Sequence, residues 1–159
     1  MKNLSISAAV VIFATLSLWP VNALADNAMP RGIVHKKTSH SYADLVKRLN
    51  VAVKKNKMGL VTRASATVGA KKVLKKKIPG NMVIGVYHPR FAVRMLKASI
   101  PAGIEAPLRF YVTENSDATA SLSYKTPSSV FAPYKVKALN TMAAELDVIF
   151  AKIARDAIQ

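Results

Sequence analysis

The chain has no cysteine, a single tryptophan, and no Asp or Glu anywhere between Leu45 and Ile104. Without cysteine there can be no disulfide, no thiolate metal site, no thiol nucleophile and no lipid-acceptor cysteine of the lipoprotein kind, so packing alone must supply stability. The histidines are only His35, His40 and His88. No HExxH accompanies them, and on a continued strand His35 and His40 point to opposite faces, so no metal and no cofactor is expected. No serine sits in GxSxG or SxxK, and the eight acids are scattered, with Glu114 and Asp117 at a turn tip. Neither a nucleophile relay nor a carboxylate pair for hydrolysis is indicated.

Long apolar runs are also missing. The longest, from Leu4 to Trp19, is about 15 residues against the ~20 that span a bilayer. With Lys2 before it and Ala23-Leu24-Ala25 behind it, the segment 1–25 has the three-part form of a secretory signal cleaved after Ala25. The mature chain is then expected to be periplasmic or secreted, without a transmembrane span, with a flexible tail over 26–32 and one domain over 33–159. Its roughly 134 residues suffice for one hydrophobic core and are too few for two.

What the chain does have is positive charge. The 60 residues from Leu45 to Ile104 hold 14 Lys or Arg and no acid. Loss of the leader removes only Lys2, leaving 23 basic residues against 8 acidic ones, a formal net charge of +15. Such a field favours an anionic partner. Few aromatics interleave with the charge, only Tyr87 and Phe91, so stacking platforms for nucleic acid are missing and nucleic acid is an unlikely partner for an exported chain.

Short strand-like runs alternate with helical ones. Ile33 to Thr38 reads as a strand, and Ser39 or Ser41 can cap a helix over about Ser41 to Asn56. On that helix Tyr42, Leu45, Val46, Leu49, Ala52 and Val53 form the apolar arc, and Lys47, Arg48, Lys54 and Lys55 the solvent face. A second strand is expected from Gly59 through Val68, and a short helical turn from Gly69 to Ile78. If helical, that turn gathers Lys71, Lys72, Lys75 and Lys76 opposite Val73, Leu74 and Ile78. Like charges so spaced repel, which a bound anion relieves, although such a face is ordinarily just solvated.

Met82 to Tyr87 suits a central strand ended by His88-Pro89, with Pro89 opening a helix that runs to Ser99. A strand running into a helix N-terminus exposes unpaired N–H groups, and Arg90 and Arg94 share one side of the first turns. His88, Arg90 and Arg94, joined by Arg109, are therefore the anion-binding candidates; their ordinary roles are a cap or packed ring for His88 and surface charge for the arginines. Pro107 to Glu114 and Thr119 to Thr126 alternate as a hairpin that buries Leu108, Phe110 and Val112 with Ala120, Leu122 and Tyr124. After an irregular or briefly helical stretch over Pro127 to Tyr134, a long helix from about Val136 to Ile158 covers that face through Leu139, Met142, Leu146, Ile149, Phe150 and Ile153.

The order of these segments, with GNMVIGVYHPRFAVRML, then IEAPLRFYV, then LSYKTPSSVF, resembles the family called domain of unknown function 302 over roughly Lys37 to Ile153. The resemblance implies an α+β fold, an antiparallel sheet of about four to five strands with helices on one face in a TATA-binding-protein-like two-layer arrangement, often as a homodimer. It implies no activity. Where that family often has Asn before the proline, this chain has His88, so no role at that position is carried over.

Two functional expectations follow, beside a structural one in which the charge serves solubility and the domain partners another envelope protein. One is a non-catalytic exported domain whose basic helical faces (Lys47, Arg48, Lys54, Lys55, Lys71, Lys72, Lys75, Lys76) bind anionic lipid, lipopolysaccharide or an acidic small molecule. The other is an enzyme or accessory factor acting on a small anion at the His88–Arg94 junction. Because Trp19 leaves with the leader, purified mature protein should fluoresce as a tyrosine protein; emission of the tryptophan type would contradict cleavage after Ala25.

Overall fold

The computed structural model describes residues 29–159, so the expected leader over 1–25, its expected cleavage site and Trp19 lie outside the described residues. Five strands form one antiparallel sheet: β1 (Ile33–Ser41), β2 (Gly59–Ala64), β3 (Asn81–Tyr87), β4 (Leu108–Glu114) and β5 (Thr119–Lys125), in the order β1-β5-β4-β3-β2. The helices are α1 (Tyr42–Lys55), α2 (Ala66–Gly69), α3 (Pro89–Ala98), α4 (Pro127–Phe131) and α5 (Lys137–Ile158). This is the expected α+β class, with a long C-terminal helix.

Sequence alternation sets the hairpin. Phe110 pairs with Tyr124 and Val112 with Leu122, so all four meet on one face, where each is buried. The residues between them, Arg109, Tyr111 and Lys125, fall on the other face and are exposed. Helix α5 repeats apolar side chains every three or four residues, and Leu139, Met142, Leu146, Phe150 and Ile153 are buried against the sheet and α1. Phe110 stacks on Phe150 with ring centroids 4.7 Å apart and planes inclined by 12°. Helix α1 leaves β1 without a loop because the Ser41 hydroxyl accepts from the Asp44 N–H at 3.2 Å, the N-cap that replaces a missing backbone partner.

Parts of the chain between β2 and β4 depart from the sequence reading. Strand β2 stops at Ala64 rather than Val68, because Ser65 caps Val68 N–H and the Asn81 side chain accepts from Ala66 N–H at 2.9 Å, which starts a helix early. That helix passes into a π-helical turn over Ala70–Leu74 and ends where Lys75 adopts φ 55°. The stretch after α3 makes a further turn of 3-10 helix over Pro101–Glu105. The segment after β5 takes the briefly helical form of the two open to it, as α4 followed by a 3-10 turn, Ala132–Tyr134.

Carboxylates join elements within each layer. Arg94 of α3 donates to both oxygens of Glu145 on α5 at 2.6 Å, Lys37 of β1 meets Asp117 of the hairpin turn at 2.8 Å, and Asp156 of α5 accepts from Asn56 at 2.9 Å and Lys152 at 3.0 Å. The guanidinium of Arg94 holds Glu145 below its ordinary range, the Lys37 ammonium and then Thr119 do the same for Asp117, and Asn56 followed by Lys152 for Asp156. Each group is lowered on folding, so its contribution is complete above the ordinary carboxylate value of ~4 and is lost as pH falls through the lower folded-state value.

Two outcomes are expected. The thermal midpoint should hold steady from about pH 7 to pH 5 and fall below about pH 4, with a shallower acid limb in Glu145→Gln and Asp117→Asn; limbs parallel to that of the parent would refute the linkage. Gly85 is a packing constraint, since a Cβ there would stand 2.8 Å from the Pro107 ring and against the Thr62 hydroxyl. Gly85→Ala should cost about 1–3 kcal/mol in denaturant unfolding, because a proline ring gives way poorly.

Candidate functional site

The strand-to-helix junction forms as its residues suggest. His88 is the N-cap of α3, Pro89 its first residue, and His88 Nδ1 accepts from the Arg90 N–H at 3.1 Å. That bond uses the ring's lone pair and leaves the proton on Nε2. The His88 ring meets Phe91 edge-on at 6.2 Å, and the guanidinium groups of Arg90 and Arg94 sit 4.6 and 5.7 Å from the centroid of the same Phe91 ring. The junction is held by its own side chains.

Its arginines are not equally free. Arg94 is the bidentate partner of Glu145, a fork that raises the guanidinium's pKa and occupies the donors an incoming anion would need. Arg90 adds a weaker pull on the same carboxylate. Arg109 does not join them: it lies on the sheet face away from the helices, whereas Phe91 is buried among them. The cavity behind His88, lined by Val86, Phe91, Met95, Met142 and Leu146, has a volume of about 40 Å³. That is room for about one water, with apolar walls, and not for a substrate.

The basic-surface candidates divide as well. Arg48 is half-buried rather than on an open face, because its Nε donates at 3.0 Å to the Ala157 carbonyl in the last turn of α5. There a cation satisfies a terminal carbonyl and the negative end of the helix dipole. Lys55 lies 3.8 Å from Asp156, and Lys75 donates to the Lys72 carbonyl at 3.1 Å. Lys47, Lys54, Lys71, Lys72 and Lys76 form no ion pair among the described residues. His35 bonds Ser123 Oγ at 2.8 Å and His40 lies between Asp44 and the Ile158 carbonyl; among the described residues no three His, Asp or Glu side chains group to hold a metal.

The segment after β2 differs most from its sequence reading. Of the apolar residues set opposite the lysines, Val73 is 78% and Leu74 63% exposed, and Val68, which the sequence reading placed in the strand, is 54% exposed. Its base is fixed, with the Thr67 hydroxyl donating to the Pro79 carbonyl at 2.8 Å and accepting from Asn81 N–H and Nδ2 at 3.1 and 3.0 Å. Beyond that anchor it presents apolar side chains with Lys71, Lys72, Lys75, Lys76 and Lys77 around them. Periodicity alone could not show this, because an apolar stripe reads the same whether or not something covers it.

Comparison with known proteins places this arrangement. No curated protein matches the chain. The crystal structure of an uncharacterized conserved protein DUF302 from Bacillus stearothermophilus is similar with a TM-score of 0.73 at 17% identity, covering 80% of this chain and 99% of that one. At that identity the likeness concerns the fold. The profile of the family described as Domain of unknown function DUF302 matches residues 34–156, nearly all of the described chain, and the protein therefore belongs to the DUF302 family.

Proposed function

We propose that the protein is an exported, non-catalytic domain that docks on an anionic lipid surface through the projection between Ala66 and Lys77. The observation that carries this is the pairing of exposed Val68, Val73 and Leu74 with five lysines, Lys71, Lys72, Lys75, Lys76 and Lys77, on one segment anchored at its base. Water is a poor environment for the three apolar side chains, and an interface rich in acidic headgroups suits both components. A lysine near such a surface contributes ~1 kcal/mol, so five give about 5 kcal/mol, a sub-millimolar affinity before any apolar insertion. No helix of the described residues is long and apolar enough to cross a membrane.

Catalysis on a small anion at the His88–Arg94 junction has less support. Glu145 already occupies Arg94, His88 caps α3, and the adjoining cavity is small and apolar.

Co-sedimentation with vesicles checks the docking reading. Vesicles of equal parts phosphatidylglycerol and phosphatidylcholine should retain the protein at ~10 mM salt and release much of it at ~150 mM, and pure phosphatidylcholine should not retain it. Lys72→Gln combined with Lys76→Gln should weaken binding by at least tenfold, about 2 kcal/mol in all, and Val73→Ser with Leu74→Ser severalfold. No retention at ~10 mM salt, or retention indifferent to the apolar pair, overturns the proposal.

A further inference from the structure

We propose that the sheet face turned away from α1, α3 and α5 carries a second binding site, for a single-chain acidic amphiphile with an apolar body and one anionic head. A pocket of about 420 Å³ lies there, bounded by the sheet, by Glu105 and by the α4 segment through Ser129, Val130 and Pro133. That volume falls within the ~300–1,000 Å³ of small-molecule sites. Its position does not overlap the lysine projection, so the inference stands or falls independently of the docking reading.

The pocket's chemistry is two-sided. Val83, Leu108, Val130 and Pro133 give it apolar walls, whereas Arg109 and Lys125 are its cations. The β4–β5 register pairs Phe110 with Tyr124, and one step further along both strands brings Arg109 opposite Lys125. Directly opposed side chains have Cβ atoms about 4.5–5.5 Å apart, and like charges placed so are destabilising.

Among the described residues neither Arg109 nor Lys125 takes part in an ion pair. Glu105 also lines the pocket, its Oε1 accepting the Tyr134 O–H at 3.0 Å, without reaching ion-pair distance of either cation. Lys37 on the same face shows the contrast, because it is answered by Asp117 at 2.8 Å.

An anionic head between Arg109 and Lys125 removes the repulsion, and the neighbouring Ser123 hydroxyl and Tyr111 ring complete a partly polar rim. The chain of the ligand then lies along Val83 and Val130. A carboxylate or a phosphate monoester meets this requirement equally. Neutral alcohols do not.

Isothermal titration of the mature protein with decanoate, decyl phosphate and decanol, each below its aggregation concentration, tests the site. Saturable binding of one decanoate or decyl phosphate per chain is expected, with decanol at least tenfold weaker. The two acids together show whether carboxylate or phosphate is preferred. Arg109→Gln and Lys125→Gln, both surface changes, should each lower affinity about tenfold, the effect of one charge-assisted hydrogen bond. Lys97→Gln, which removes the same charge from exposed α3, should change nothing, and circular dichroism of each variant should match the parent.

Three results overturn the proposal: no saturable binding of either acid, decanol binding as well as decanoate, or Lys97→Gln weakening affinity as much as Arg109→Gln. The first includes the case in which a second copy of the chain already fills this face. The last would mean that the overall field, and not the pair, attracts the ligand.

Discussion

The contact on which the fold depends is the stack of Phe110 against Phe150. Phe110 sits on β4, the middle strand of the five, and Phe150 on α5, and both are fully buried. Tyr124 of β5 closes the group, 5.1 Å from Phe110 and 5.9 Å from Phe150 between ring centroids. Large aromatic side chains bury more apolar area than any others, and offset stacks add ~0.5–1.5 kcal/mol beyond burial. Docking α5 at this point also brings Leu146 and Ile153 over the sheet, with α1 packed alongside through Leu45, Leu49 and Val53. The helical layer is thereby committed to one face, and the other face is left with Arg109, Tyr111 and Lys125.

Acidic groups are few, and every described one is engaged in holding elements together. Asp44 meets His40, Glu105 the Tyr134 hydroxyl, Glu114 the Gly80 N–H, Asp117 Lys37, Glu145 Arg94, Asp147 Ser128, and Asp156 both Asn56 and Lys152. Most of these bonds join segments distant in sequence. The consequence is electrostatic: carboxylates close the structure internally, and the lysines of the acid-free stretch keep their charge toward solvent. The net charge is thus a property of the surface and not of the core.

Period and punctuation made much of this legible in the sequence. The alternation of Leu108 to Val112 against Ala120 to Tyr124 gave the hairpin, and the three-to-four spacing from Leu139 to Ile153 gave α5, because a buried face imposes its period on the chain. His88-Pro89 marked the start of α3 for the local reason that proline at the first helical position loses no hydrogen bond. What stayed hidden depends on partners far along the chain. Glu145 lies 51 residues from Arg94 and the Ala157 carbonyl 109 residues from Arg48, and no local pattern announces either bond. The early start of α2 was likewise set from outside, by Asn81 reaching back 15 residues to Ala66. The like-charged pair was within reach, since Arg109 and Lys125 both fall on the polar side of the hairpin, yet only the register set them opposite one another.

Positive charge on this molecule has two separable causes, and only one of them bears on ligands. The sheet has open edges at β1 and β2. Exposed Lys36 and Lys37 lie on the first and exposed Arg63 on the second, where a register shift between Leu60 and Thr62 also disturbs the ladder. Charged side chains and irregularities at such edges discourage strand addition by another chain, so these cations have a reason to be present without any ligand. Arg48 has another, at the carbonyl end of α5. Two other groups stand apart from these: the lysines around Val73 and Leu74, and the Arg109–Lys125 pair. Neither protects an edge or ends a helix of the core, and in both places cations stand beside apolar surface that the fold itself does not cover. Uncovered apolar area next to uncompensated charge is costly in water on both counts, and it is that coincidence, more than the size of the field, that distinguishes these two places from the rest of a basic surface.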